Sequence, residues 1–315
     1  MLNRRHLRIK VLQALYSFYQ SQGEDFGKIQ KEMLTGVERI YDLYIYLLLS
    51  FSELKSISEH RMGESKKKIR PTEDDLNPNL KFVNNQIIQC LEDNVNLRSE
   101  SESRKVNWVG DEKHELFRKM FKNLKESEVY DQYMNNGVEG FEEDKAFMIA
   151  LFKSEIANFP LLYSHFEEQN IHWIDDIDLA CAMTVKTIKA FESADKCPIL
   201  PLYKDKTDEL EFITQLLQKT VTLDKESEKL IDELTQNWEL DRIAKMDIIL
   251  MKMAIAEMQV FNSIPTKVTL NEYIEISKFY STPKSNGFIN GILDKAIHRL
   301  NKDGKITKVG RGLIN

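Results

Sequence analysis

Chain breakers are scarce in this sequence. Only 12 Gly and seven Pro occur in 315 residues, against typical usage of about 7% and about 5%. That excludes a turn-rich β sandwich, a collagen-like chain and a flexible linker protein. Strand signals are missing too, because no alternating Val/Ile/Thr run bounded by turn residues is present. No stretch of about 18 apolar residues exists, which excludes a transmembrane helix. The start, MLNRRHLRIKVLQALYSFYQ, is basic but has no continuous apolar stretch or small-residue cleavage site, so it does not read as a signal peptide. There are three cysteines, Cys90, Cys181 and Cys197, and none is spaced for a metal or redox pair. An odd count fits a reducing, cytoplasmic setting.

Marks of catalysis are equally sparse. His6, His60, His114, His165, His172 and His298 form no HExxH or comparable ligand pattern. There is no glycine-rich phosphate loop, nucleophile elbow or Cys/His motif. Asp175, Asp176 and Asp178 form an acidic knot, but without a fourth ligand at loop spacing it reads as a helix start. The expectation is a protein that is not an enzyme and needs no cofactor or metal.

Helical periodicity fills most of the chain, and charged residues make up 30% against 42% apolar, enough for a sizeable core under a solvated surface. Leu7, Val11, Ala14, Leu15 and Phe18 share one helical face, as do Val37, Tyr41, Tyr44, Leu48, Phe51 and Leu54. Further helices are expected at 80–94, 112–135, 143–169, 176–194, 209–222, 225–237, 241–261, 269–280 and 286–300. Two breaks interrupt them. EHRMGESKKKIRPTEDDLNPN, about 59–80, reads as a long exposed loop, and KCPILPLYKDKTD spans 196–208. A weak repeat is also visible. Trp108, Trp173 and Trp238 share an offset with Phe82, Phe147 and Phe212, and with Asp111, Asp176 and Asp241. Chance similarity among helices explains it equally well.

The net charge is −6, so the chain as a whole does not attract nucleic acid. The distribution says more. Arg4, Arg5, Arg8 and Lys10 open the chain without an acid, and Lys302, Lys305, Lys308 and Arg311 crowd its tail. Asn3 can cap the first helix. Cations in a first turn oppose the helix dipole, so some other interaction should offset them. Free N–H groups with several guanidinium groups make a phosphate site, and Tyr16 and Tyr19 offer stacking surfaces. A merely solvated basic start remains the alternative on residue types alone.

The second dense segment is 238–295. Ile243, Met246, Ile249, Leu250, Met253 and Met258 line a buried stripe. Thr269 and Glu272 have capping-box spacing, while Tyr273, Ile276 and Phe279 are expected to face inward. Thr282 and Pro283 should open the last helix. Gly287 and Gly291, one turn apart, suggest close helix contact, and Asn290 reads as a structural amide.

These stretches resemble the NusB family of bacterial transcription antitermination factors. The resemblance rests on the basic start running into ALYS at Ala14–Ser17. It rests also on Asp241-Arg242-Ile243, Ile264-Pro265, Asn271-Glu272, Ser277-Lys278 and Phe288-Ile289-Asn290-Gly291-Ile292-Leu293-Asp294-Lys295. It covers 1–22 and about 208–300 and fades between. It implies an all-α, NusB-like bundle of two packed subdomains, enlarged by inserted helices. The expected organisation is 1–24 plus 205–301 as the RNA-binding domain, 25–204 as a helical insertion or degenerate duplicated lobe, and 302–315 as a basic tail. The implied partners are single-stranded boxA-type RNA of rRNA operon transcripts, the small-subunit ribosomal protein NusE and, indirectly, the RNA polymerase elongation complex, with no membrane. Carried onto this chain, the RNA-binding residues are Arg4, Arg5, Arg8, Lys10, Lys284, Ser285, Asn286 and Phe288. Tyr16 and Phe212 are candidates for contact with the partner protein. On this reading Arg4→Glu with Arg8→Glu should abolish RNA binding and leave the melting temperature nearly unchanged. The alternative is a helical scaffold that keeps the fold and lacks RNA binding.

Overall fold

The computed structural model describes residues 2–21, 25–235 and 243–313. Among them there are fifteen α-helices, one π-helical turn and no strand. The helices are α1 (Arg4–Gln20), α2 (Phe26–Lys66), α3 (Glu73–Leu76), α4 (Gln86–Asp93), α5 (Val95–Arg104), α6 (Asp111–Glu126), α7 (Glu128–Asn135), α8 (Phe141–Leu151), α9 (Pro160–Gln169), α10 (Ile177–Ala190), α11 (Lys206–Thr222), α12 (Asp224–Leu234), α13 (Lys245–Val260), α14 (Thr266–Tyr280) and α15 (Ser285–Lys302). The chain divides into a central unit, Glu38–Leu202, and a split unit made of Leu2–Val37 and Tyr203–Asn315. The change of unit falls within α2 and just after Leu202.

The split unit is organised around α13. This helix is buried almost all round, from Ile249 to Met258, as a helix apolar on every side must be. Helices α1, α11, α12, α14 and α15 pack on it. Asn3 does cap α1: its side chain accepts from the His6 N–H at 2.9 Å, and the Asn3 N–H donates to His6 Nδ1 at 3.4 Å, closing a capping box. The tail returns to the same unit. Lys305 pairs with Glu226, Lys308 Nζ donates to the Phe261 carbonyl, and the Val309 N–H donates to the Asn262 carbonyl.

The central unit holds two aromatic clusters. Tyr46, Trp108, Phe117, Phe166 and Trp173 pack edge to face. Each buried indole N–H finds a carbonyl, Trp108 that of Tyr46 and Trp173 that of Arg39, both at 2.9 Å, as buried tryptophans require. Phe82, Phe121, Tyr130 and Phe147 form the second cluster, with Tyr133 stacked on Phe147 at 3.7 Å. Of the repeated residues, Phe82, Phe147, Trp108 and Trp173 therefore lie in this unit and Phe212 in the other, while Trp238 and Asp241 lie outside the described residues.

Several local expectations are corrected. Helix α2 continues to Lys66, through Gly63, so the break near 59–80 begins later than its composition suggests; an isolated glycine costs a helix only about 1 kcal/mol. Thr269 lies inside α14 rather than at its cap, because the helix already starts at Thr266 behind Pro265. Helix α15 starts at Ser285, two residues after Pro283, with no side-chain cap. Gly287 and Gly291 point into open space, with nothing within 4 Å of where a Cβ would stand. Cys90 and Cys197 are brought together as a disulfide with their Cα atoms 6.0 Å apart. Their separation of 107 residues hid the pairing from spacing rules. Cys181 is free.

Candidate functional site

The arginines at the start of α1 all meet carboxylates. Arg4 pairs with Asp208 at 2.5 Å and lies over the Phe212 ring, 4.1 Å from its centroid. Arg5 makes a bidentate pair with Glu272, at 3.0 and 2.8 Å. Arg8 makes a second bidentate pair with Glu257, both bonds 2.7 Å, and approaches Glu272 at 3.5 Å. Asp208, Glu257 and Glu272 thus offset the dipole penalty that the sequence leaves unexplained.

Exposure separates the three. The side chains of Arg4 and Arg5 are 36% and 41% exposed, whereas that of Arg8 is 2% exposed. Glu257 is equally enclosed and also accepts from Thr269 Oγ1 at 2.8 Å and Tyr273 OH at 3.0 Å. Burial alone would lower the pKa of Arg8, but the hydrogen bonds and charge of Glu257 more than offset it and hold it above the ordinary arginine range. The expectation that Arg8 faces phosphate is therefore corrected: its guanidinium is spent inside the core. Lys10 is buried too and has a partner within the protein.

Neighbouring groups tune the exposed end. The hydrogen bond from Arg5 lowers the Glu272 pKa and raises its own. Burial, helped by the adjacent Arg5 charge, pushes His6 down to about 4, so His6 is neutral near pH 7 and adds no cation.

The second group of expected RNA residues lies at the α14–α15 corner. Lys284 is exposed, Asn286 and Phe288 are half-buried, and Ser285 is buried. The Ser285 hydroxyl donates to Asp247 at 2.7 Å, and Ser281 donates to the same carboxylate. Ser285 therefore fixes the turn and does not face outward. One residue here escapes the sequence reading. Phe279 is 81% exposed, not inward-facing. The signal was present, since Val268, Glu272, Glu275 and Phe279 follow one helical stripe, and two of its four members are acids.

Helix α14 thereby relates the two groups. Glu272, which holds Arg5, and Phe279 are seven residues apart on one face, about 10 Å along the axis. Phe279 precedes the turn that carries Lys284 and Asn286.

The candidate partner residues differ. Tyr16 is 41% exposed and lines a groove of about 230 Å³ with Tyr19, Ile248, Ile249 and Lys252. Phe212 is buried beneath Arg4 and against Phe261, so the structure assigns it to packing and corrects its reading as a contact residue.

Comparison with known proteins decides the family. A family model described as NusB family matches residues 183–298. The transcription antitermination protein NusB of Salinibacter ruber (strain DSM 13855 / M31) is 39% identical over 115 residues, which are 36% of this chain and 71% of that protein. The chain belongs to the NusB family. NusB of Natranaerobius thermophilus is 37% identical over 92 residues, 29% of this chain and 66% of its own length. NusB of Chloroherpeton thalassium is 41% identical over 105 residues, 33% of this chain but only 50% of that protein. No solved structure matches. The NusB match reaches back into α10, ahead of residue 208, where recognisable motifs begin. Among the described residues no group of His, Cys, Asp and Glu is arranged to hold a metal ion, and no helix is long and apolar enough to cross a membrane.

Proposed function

We propose that this NusB-family chain is a transcription antitermination factor that binds single-stranded boxA-type RNA of rRNA operon transcripts together with NusE. It acts by assembly, joining RNA and ribosomal protein so that the elongation complex passes terminators. The observation that carries this reading is the matched segment itself, 183–298, which contains the exposed Phe279 and Lys284 and the half-buried Asn286 and Phe288. An exposed aromatic beside a cation and an amide suits unpaired bases, which stack on rings and present free edges. Arg4 and Arg5 extend the surface toward phosphate. Lys10, Arg8 and Ser285 support it from within. NusE docks at the groove lined by Tyr16, where apolar side chains already meet solvent.

A second reading, a protein-binding scaffold without RNA affinity, is favoured by one observation. Each arginine of the first turns is already paired with a carboxylate, so the phosphate grip there requires exchange of partners.

Fluorescence anisotropy with a short boxA-type RNA, with and without NusE, separates the two readings. Phe279→Ala should weaken binding by about 1–3 kcal/mol, the value of one base–aromatic stack, and Lys284→Glu should weaken it further. Both sites are on the surface, so helicity should be unchanged. Crosslinks from the RNA should map to 279–288. RNA affinity absent in the presence of NusE would support the scaffold.

A further inference from the structure

The central unit carries a groove that the RNA reading does not use. It lies between the π-helical turn Phe152–Ile156 and one face of α10, with a volume of about 470 Å³. Ala157, Ala182 and Val185 form a floor beside the half-buried Cys181, and Lys153, Lys186 and Lys189 stand at the rim. On α10 the members Ala182, Val185, Lys186 and Lys189 follow i, i+3, i+4 and i+7, a single helical stripe.

Two features bear on what this stripe can bind. First, none of the three rim ammonium groups has an ion-pair or hydrogen-bond partner among the described residues. No acid lines the groove. The same face carries Asp178 one turn back, where it accepts from Tyr163 OH. Second, α8 ends beside it in a π-helical turn. The Ala157 N–H bonds the Phe152 carbonyl, and the Asn158 amide takes up the Lys153 carbonyl. Turns of this kind close helix C-termini, and here the turn sets Lys153 and Ala157 beside α10.

We propose that this groove docks an acidic amphipathic helix of a partner protein. Small side chains on the floor let a helix backbone approach closely, and helix-in-groove binding uses an apolar stripe of this width. Three uncompensated lysines select acids along the partner's flanks and repel basic ones. The surface is poorly made for RNA: its one lining ring, Phe152, is fully buried, and it offers no arginine fork for phosphate. It also lacks the large exposed apolar side chains that a membrane surface recruits.

The test uses the full chain and a short fluorescein-labelled Leu/Glu amphipathic helix, with a Leu/Lys helix, a single-stranded oligouridylate and anionic vesicles as parallel probes. Saturable anisotropy is expected with the Leu/Glu helix alone. The triple variant Lys153→Glu, Lys186→Glu, Lys189→Glu should weaken it by about tenfold or more, since three rim charges together are worth about one decade. Val185→Asp should do the same with the charges intact, and circular dichroism should show both variants folded. No binding of the Leu/Glu helix, or equal binding by the triple variant, overturns the proposal. Oligouridylate or vesicle binding that the triple variant loses also overturns it, by assigning the lysines to another ligand. Affinity for boxA-type RNA is read separately with Phe279→Ala, so failure of either assignment leaves the other standing.

Discussion

Glu257→Gln tests whether the core of the split unit is built on charge. Glu257 accepts four bonds, two from Arg8 and one each from Thr269 and Tyr273, in a pocket closed to solvent. Gln keeps the shape and one acceptor oxygen but aims an NH₂ at a guanidinium. Arg8 then keeps only Glu272, 3.5 Å away, as counter-charge. Breaking such a pair costs about 3–5 kcal/mol, a large part of a total stability of about 5–15 kcal/mol. For a unit of this size that lowers the melting temperature by about 6–20 °C. Arg8→Met should cost a comparable amount near neutral pH and less in acid, where the orphaned carboxyl can take a proton. The double variant Arg8→Met with Glu257→Gln removes both charges, and its Gln still accepts from Thr269 and Tyr273. It should recover at least half of the single-variant loss. Urea unfolding followed by circular dichroism, with hydrogen exchange of α1 and α13 peptides to single out this unit, measures all three. A loss below about 1 kcal/mol for Glu257→Gln, or a double variant as costly as the two losses added, refutes the reasoning. The same geometry reverses the expectation that Arg4→Glu with Arg8→Glu spares the melting temperature, because Arg8→Glu sets a second carboxylate against Glu257.

Three further outcomes follow from named contacts. Lys252 is also buried, but its partners Asp224 and Glu228 reach solvent, so Lys252→Met should cost only about 1 kcal/mol in the same urea assay. Gly287→Ala and Gly291→Ala should each stabilise α15 by about 0.5–1 kcal/mol, visible as a higher urea midpoint, since a methyl meets nothing there. The His6 pKa of about 4 lies below the ordinary value of 6.5. The unfolded chain therefore binds the proton first, and stability should be flat above pH 6.5 and fall from there toward pH 4. The loss amounts to at most about 3 kcal/mol, and a pH series comparing the protein with His6→Gln should show it missing from the variant.

Much of this fold was legible because helices announce themselves by period. The apolar positions of α1 and α15 recur at the helical period, and Asn3 marks a start through its own side chain. The misses share a physical cause, which is that one-dimensional patterns do not reveal partners. Arg8 looks like Arg4 and Arg5 until Glu257 is placed opposite it across 249 residues. Phe212 looks like an interaction residue until Arg4 covers it. Phe279 matches the inward period by residue type, but the acids on its own stripe place it outside. Glycines one turn apart were read as a contact, whereas here they face open space. Family membership was legible because most of its motifs cluster in the matched segment, while the basic start and Ala14–Ser17 lie outside it.

The pairing of Arg5 with Glu272 has a consequence for any polyanion that lands there. The free protein holds that carboxyl below its ordinary pKa by the hydrogen bond from Arg5. An RNA phosphate that takes over the guanidinium removes that hydrogen bond and lets the carboxyl pKa rise. Association then carries proton uptake with it in the pH range where carboxylates titrate. On the proposed RNA reading the first turn would exchange one anion for another, and the counterions released on binding would fall short of the arginine tally by one for every carboxylate displaced.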